Sequence, residues 1–170
     1  MKKYRLTEET TKVGNRTLYR IQALRDFGNV TKGDIGGYIE SEKNLSQCCD
    51  AWVSGNAWVS GNALVYGDAW VSGNALVYGD ACVYGDARVY GNADIKTTGD
   101  ICSMSGFGSE YRTTTAFRTK NGDVHVSCGC FQGNLEAFCQ RVESTHGNNL
   151  YGREYKKMIE MLKIHFEVEP

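Results

Sequence analysis

The sequence predicts a mainly β protein, a parallel β-helix carrying an α+β cap, and three observations support this. Residues 51–93 read AWVSGN AWVSGN ALVYGD AWVSGN ALVYGD ACVYGD ARVYGN A, and so strict a six-residue period decides the architecture before any other signal. Within each unit Ala-x-Val places two apolar side chains on one face of a short strand, with the residue between them pointing away. The chain holds 20 glycines against a single proline, as a turn-rich β solenoid requires.

Written from the valine, the unit is Val-x-Gly-Asn/Asp-Ala-x, with valines at 53, 59, 65, 71, 77, 83 and 89 and alanines at 57, 63, 69, 75, 81, 87 and 93. Gly-Asn or Gly-Asp turns each corner, because Gly accepts positive φ and Asn or Asp can bond its own backbone. Six residues per side and three sides give a triangular coil of about 18 residues.

Before the repeats, Tyr4–Leu6 and Thr17–Leu24 read as strands on either side of a Gly14-Asn15 turn. The segments Ala23-Leu-Arg-Asp-Phe27, Gly33-Asp-Ile-Gly-Gly-Tyr-Ile-Glu40 and Asn44-Leu-Ser46 follow in that order. Together with the repeats, this block from Tyr4 to about Ile95 is similar to YdcK-like hexapeptide-repeat proteins, which occur in bacteria and, as short versions, in phages and prophages. The aliphatic-x-x-Asn/Asp-small-x repeat also resembles that of hexapeptide acyltransferases and γ-class carbonic anhydrases. The resemblance implies a left-handed helix, a hand that the period itself does not contain, and it leaves function open.

Extended backward, the register puts Ile35, Ile39, Leu45 and Ala51 inward, with Ser41 and Gln47 irregular. Extended forward, it reaches Ile95 and Ile101, with Thr97-Thr98 in place of a corner. The expected division is an N-terminal β cap (1–34), a solenoid of a little under four coils (35–102) and a C-terminal α+β cap (103–170). So short a solenoid needs its open ends covered.

The C-terminal cap is expected as ββαα. Ser103–Ser109 is a loop, and Tyr111–Lys120 and Asp123–Phe131 are strands around Asn121-Gly122, a strong two-residue hairpin signal. That turn would pair Phe117 with Val126 and Thr115 with Cys128, leaving Arg112, Thr114, Arg118, His125 and Phe131 on the other face. Asn134 caps a helix to about Thr145 with Leu135, Phe138, Cys139 and Val142 on one stripe. A second helix, Tyr151–Phe166, turns Tyr155, Met158, Ile159 and Leu162 inward.

With 41% apolar and 23% charged residues and a net charge of −1, the chain gives no bulk electrostatic reason to bind nucleic acid or an anionic membrane. No apolar run approaches the ~18 residues of a membrane span, and Met1–Lys3 opens no signal-peptide pattern. The seven cysteines, at 48, 49, 82, 102, 128, 130 and 139, are an odd set expected to be reduced thiols in a cytoplasm.

Residues 18 apart stack on the outer faces, giving Trp52 over Trp70 over Arg88, Trp58 over Leu76 beside Tyr78, and Leu64 over Cys82 flanked by Tyr66 over Tyr84. Left bare, these faces would exceed the few hundred Å² of apolar patch usual on a soluble monomer. Self-coverage plus homo-oligomerisation is the plain reading, and a trimer along the helix axis is the form such families favour. A stacking platform for a nucleobase-like ligand, or a docking face for a host protein, is the sharper one.

No site of enzymatic chemistry is expected. The repeats lack the histidine and inserted loop of the acyltransferases and the three zinc histidines of the carbonic anhydrases. His125, Cys128, Cys130, Cys139 and His146 are the right types for zinc, but the cysteines continue apolar patterns, so neither metal nor cofactor is expected. Gly106-Phe-Gly-Ser109 followed by Arg112, Thr113, Thr114 and Thr115, with Arg118, His125 and His146, could receive an anion. A Thr-rich exposed strand is the plain alternative. The expectation is a non-enzymatic phage or prophage accessory protein in the host cytoplasm. It would be a counter-defence module that sequesters a small nucleotide-like anion or blocks a host protein. An acyltransferase-like enzyme using His146 or Cys130, or a purely structural assembly protein, are the alternatives.

Overall fold

A computed structural model describes residues 2–168. Met1, Glu169 and Pro170, the extremities of the two expected caps, lie outside the described residues. The chain opens as an antiparallel hairpin of β1 (Tyr4–Val13) and β2 (Arg16–Ala23), turning at Gly14 (φ +58). The third strand, β3 (Ile35–Ile39), is the joint between two architectures. Its Ile35 pairs antiparallel with Gln22, while its Tyr38 already pairs parallel with Trp58.

That joint corrects one inward assignment. Ile35 is 49% exposed, and the buried Gly36 and Gly37 hold the interior space instead. A Cβ at Gly36 would come 2.5 Å from the Ile21 side chain, and one at Gly37 would come 2.5 Å from the Ala57 carbonyl. Ile39, Leu45 and Ala51 point inward as expected.

Eight two-residue strands form the rungs: β4 (Trp52–Val53), β5 (Trp58–Val59), β6 (Leu64–Val65), β7 (Trp70–Val71), β8 (Leu76–Val77), β9 (Cys82–Val83), β10 (Arg88–Val89) and β11 (Asp94–Ile95). They stack as three parallel ladders, β3-β5-β8-β11, β4-β7-β10 and β6-β9. The repeat valines and alanines fill the interior at no more than 1% exposure. Corner glycines are held by two constraints. At Gly73 φ is +72, and a Cβ there would stand 2.8 Å from the Gly91 nitrogen one coil on.

The ladder from Ile39 through Val59 and Val77 to Ile95 makes about three turns, fewer than the coils expected. Stacking ends there because Ile101 leaves the ladder and pairs antiparallel with Phe117. The first turn is also wider. Leu45 bridges Val65, a spacing of 20 residues, whereas Val53 pairs with Val71, a spacing of 18. The surplus lies in the Cys48–Asp50 bend, where Cys49 has φ +56.

The Lys3 side chain, fully buried, stabilises that bend. Its ammonium donates to the carbonyls of Cys48, Cys49 and Ala51 at 3.4, 3.2 and 2.7 Å and lies 4.9 Å from the centroid of the Phe27 ring. Gln47, irregular in the sequence register, accepts the Lys3 amide at 2.8 Å. Both solenoid ends use the same short 3-10 turn. Asn44 accepts from the Ser41 N–H at 2.9 Å, and Asp100 from the Thr97 N–H at 2.8 Å.

The C-terminal cap is a four-stranded antiparallel sheet, β12 (Ile101–Met104), β13 (Thr114–Arg118), β14 (Val124–Cys128) and β15 (Phe131–Asn134), and not the two-stranded hairpin expected. Its central pairing differs from the expected one by a single residue. Phe117 faces His125, Thr115 faces Ser127 and Thr114 faces Cys128. The loop is the three residues 120–122, closed by Thr119 N–H to Asp123 O at 2.9 Å with Gly122 at φ +83. A one-residue slip carries every side chain of one strand to the opposite face relative to its partner.

Helices α1 (Leu135–His146) and α2 (Leu150–His165) are capped by the Asn134 and Asn149 side chains. They pack on Ala116, Val124 and Val126 through Phe138, Val142, Met158 and Leu162. Phe117, on the opposite sheet face, joins the solenoid core. Tyr90 O–H donates to the Val126 carbonyl at 3.1 Å, and Ala93 bridges Thr119. The cap sheet therefore closes the solenoid's last turn, and the helices close the sheet.

Candidate functional site

A cleft of about 180 Å³ opens in the cap, between the 105–113 loop, the turn from β14 to β15, the end of α1 and Tyr155 of α2. Its floor is aromatic. Phe131 and Phe138 lie 5.2 Å apart, Tyr155 meets Phe138 edge-on at 5.8 Å, and the His146 ring stacks over Tyr155 at 5.5 Å with 27° between planes. Arg112 and Arg141 stand at the rim. The Cys128 thiol lies 3.7 Å from the Tyr155 hydroxyl and accepts from Thr114 at 3.2 Å. Burial, then the Cys128 contact, pushes the Tyr155 phenol up to about 12, so its O–H remains a proton donor at neutral pH.

Backbone geometry gives two of these groups their place. Gly129 has φ +58, and a Cβ there would sit 2.4 Å from an Arg112 guanidinium nitrogen. Only a glycine lets that arginine lie across the turn. Gly108 (φ +75) lies against Tyr155 so closely that a Cβ would fall 2.1 Å from its hydroxyl. The Gly108 N–H is taken by Glu154 Oε2 at 2.9 Å, so the glycine-rich loop spends that amide on the fold.

Of the anion-binding residues expected from sequence, the cleft unites Arg112 and His146. Thr113 is paired with Ser105 at 2.8 Å. Thr114 and Thr115 are buried, and Thr115 accepts the Arg88 amide at 3.1 Å. Arg118 donates to the Gly122 and Phe166 carbonyls. His125 lies on the solenoid side, its ring 6.3 Å from those of both Tyr90 and Phe117. The register slip separates them, because it turns Arg118 and Thr114 toward the helices and His125 toward the solenoid.

The aromatic faces are also divided. Trp52 is buried, with Phe27 and Tyr4 edge-on at 5.3 and 6.4 Å. Trp70 is half-buried, and Trp58 leans on Tyr78 at 5.8 Å. Tyr66 and Tyr84 stack at 5.5 Å and 14°, and they remain 42% and 51% exposed.

Sequence reasoning missed Arg141, Tyr155, Phe138 and Gly129 as members of one site. Phe138 and Tyr155 read as core positions on helical stripes, which they are, both being buried where they line the cleft. Cys130, on the cleft rim, is exposed. Among the described residues no group of three or more His, Cys, Asp or Glu could hold a metal ion. No helix among them is long and apolar enough to cross a membrane.

No curated protein matches the chain. The family model described as the YdcK β-solenoid repeat matches residues 57–73 and 69–85, the stretch that builds β5 to β9. Residues 57–85 of the solenoid that carries the cap and its cleft thus match the YdcK β-solenoid repeat.

Proposed function

We propose that the chain is a non-catalytic binding module that holds a small, anionic, nucleotide-like ligand in the cap cleft. The observation that carries this is the convergence of Arg112, Arg141 and His146 on a cleft floored by Tyr155, Phe131 and Phe138. A guanidinium grips phosphate through paired N–H donors, and the partly exposed rings of Phe131 and His146 offer a planar ring its contact. Glu110, 3.8 Å from Arg112, is an exposed partner that an incoming anion displaces at little cost. The setting we propose is a host cytoplasm, where a phage or prophage accessory protein of this kind removes a signalling nucleotide from circulation.

Isothermal titration with adenosine and guanosine monophosphates, their cyclic forms and cyclic dinucleotides tests the reading, with inorganic phosphate as the control for charge alone. Saturable heat with one nucleotide is expected, weakened about tenfold or more in Arg112→Ala. Silence across the whole set, together with an unchanged thermal midpoint, would overturn it.

The second reading is an enzyme, favoured by an exposed thiol, Cys130, lining the same cleft as the His146 imidazole. Cys130→Ala separates the two. A binding module keeps its affinity in that variant, whereas an enzyme loses covalent labelling by an acyl thioester and turnover together.

A further inference from the structure

Across Arg112 from the cleft, a second cavity of about 380 Å³ opens at the seam between solenoid and cap. Asp86 and Arg88 of the solenoid, the loop from Glu110 to Thr113 and Ser127 of β14 line it. Arg112 and Glu110 line both cavities. Successive residues of a strand face opposite ways, and Cys128 lines the cleft whereas Ser127 lines the seam. The two cavities thus lie on opposite faces of the cap sheet. They meet round the end of β14, where Arg112 lies across Gly129.

Size points to one occupant for both. At about 180 Å³ the cleft falls short of the ~300–1,000 Å³ of a small-molecule site, and the two cavities together reach that range. The seam also holds groups that the fold leaves unused. Ser127 is 4% exposed, and its hydroxyl has no hydrogen-bond partner among the described residues, which leaves it for whatever the cavity holds. Thr113, by contrast, is spent on Ser105. Arg88 is anchored through one nitrogen, which donates to the Asp68 carbonyl at 2.6 Å, and its other N–H groups remain for a ligand. Tyr111 presents a ring that is 70% exposed, at φ +52.

Charge narrows the class. The seam sets Arg88 and Arg112 against Asp86 and Glu110, so a bare anion gains little there. A nucleoside suits it better, because carboxylates accept the N–H groups of a base edge and an exposed ring stacks on a base. In the cleft, Arg112, Arg141 and His146 stand against Glu110 alone, which favours negative charge on that side of Arg112. The path round β14 needs a flexible joint, and a phosphodiester is one whose charge matches the arginine at the corner.

We infer that the ligand is a dinucleotide, with one base in the cleft, its bridging phosphate on Arg112 and its second nucleoside in the seam cavity. The inference rests on the reading of the cleft as a nucleotide site.

Titration calorimetry on the full chain tests it, with linear and cyclic dinucleotides of adenine and guanine beside the two monophosphates. At least one dinucleotide is expected to bind about tenfold or more tighter than either monophosphate. Tyr111→Ala and Asp86→Ala, both changes at exposed positions, should each bring that dinucleotide down toward the monophosphate level and leave the monophosphates as they were. Arg112→Ala should weaken both classes. Monophosphates that bind as tightly as every dinucleotide, a dinucleotide indifferent to both seam variants, or monophosphates weakened equally by them would overturn the inference and leave the cleft reading standing. Silence with every nucleotide would overturn both.

Discussion

The imidazole of His146 lies over the phenol of Tyr155, ring centroids 5.5 Å apart and planes 27° from parallel. One ring belongs to the last residue of α1 and the other to the second turn of α2, so their contact depends on how the two helices dock. Gly108 also lies against Tyr155, where a Cβ would overlap the hydroxyl at 2.1 Å. Gly108→Ala is therefore expected to destabilise the chain by about 2–4 kcal/mol, from overpacking and from a φ of +75 that side chains resist. Chemical denaturation checks the magnitude. A loss below about 0.5 kcal/mol would show that the loop swings free of Tyr155.

The two demands on a corner glycine can be separated. Gly73 and Gly91 have similar φ values, +72 and +65, but a Cβ on Gly73 meets the next coil at 2.8 Å, whereas one on Gly91 meets nothing within 4 Å. Gly91→Ala should cost about 1 kcal/mol for conformation alone. Gly73→Ala should cost about 1–3 kcal/mol more, because the coils must part. Equal midpoints in urea would disprove the stacking argument.

Lys3 supplies a pH dependence. Burial lowers its ammonium from 10.5 to about 8, against the opposing pull of Asp50. Between those values the unfolded chain holds a proton that the folded chain has released, so this group makes stability rise with pH from about 8 to 10.5. Lys3→Met should lose about 1–3 kcal/mol at neutral pH, because three carbonyls lose their donor. It should also show a smaller gain in stability than the wild type between pH 7 and 10. Parallel pH profiles would contradict the assignment.

The outer aromatics should differ sharply in their cost. Trp52→Ala empties a buried site between Tyr4 and Phe27 and is expected to cost about 3–5 kcal/mol. Tyr84→Ala, at a ring 51% exposed, should cost under about 1 kcal/mol. Thermal midpoints of the two variants decide this, and comparable losses would mean that the Tyr66–Tyr84 face is covered.

The sequence by itself determined the solenoid, because a side chain's inward or outward direction there is a local property of a six-residue unit. The Ala-Val interior and the Gly corners repeat that unit wherever it occurs. Both cap helices were legible for the same reason, the first through its Asn134 cap and both through their apolar stripes, whereas the Asn149 cap of the second emerged only in the structure. Tertiary structure decided what lies between such units. The number of turns depends on where Ile101 stops stacking on the previous coil and pairs with Phe117 instead. A three-residue loop at 120–122, in place of a two-residue one, fixed which face of the cap sheet holds His125 and which holds Arg118 and Thr114. Arg112 and His146 meet because two helices, a turn and a loop dock together around Tyr155, and no period along the chain encodes a meeting across 34 residues.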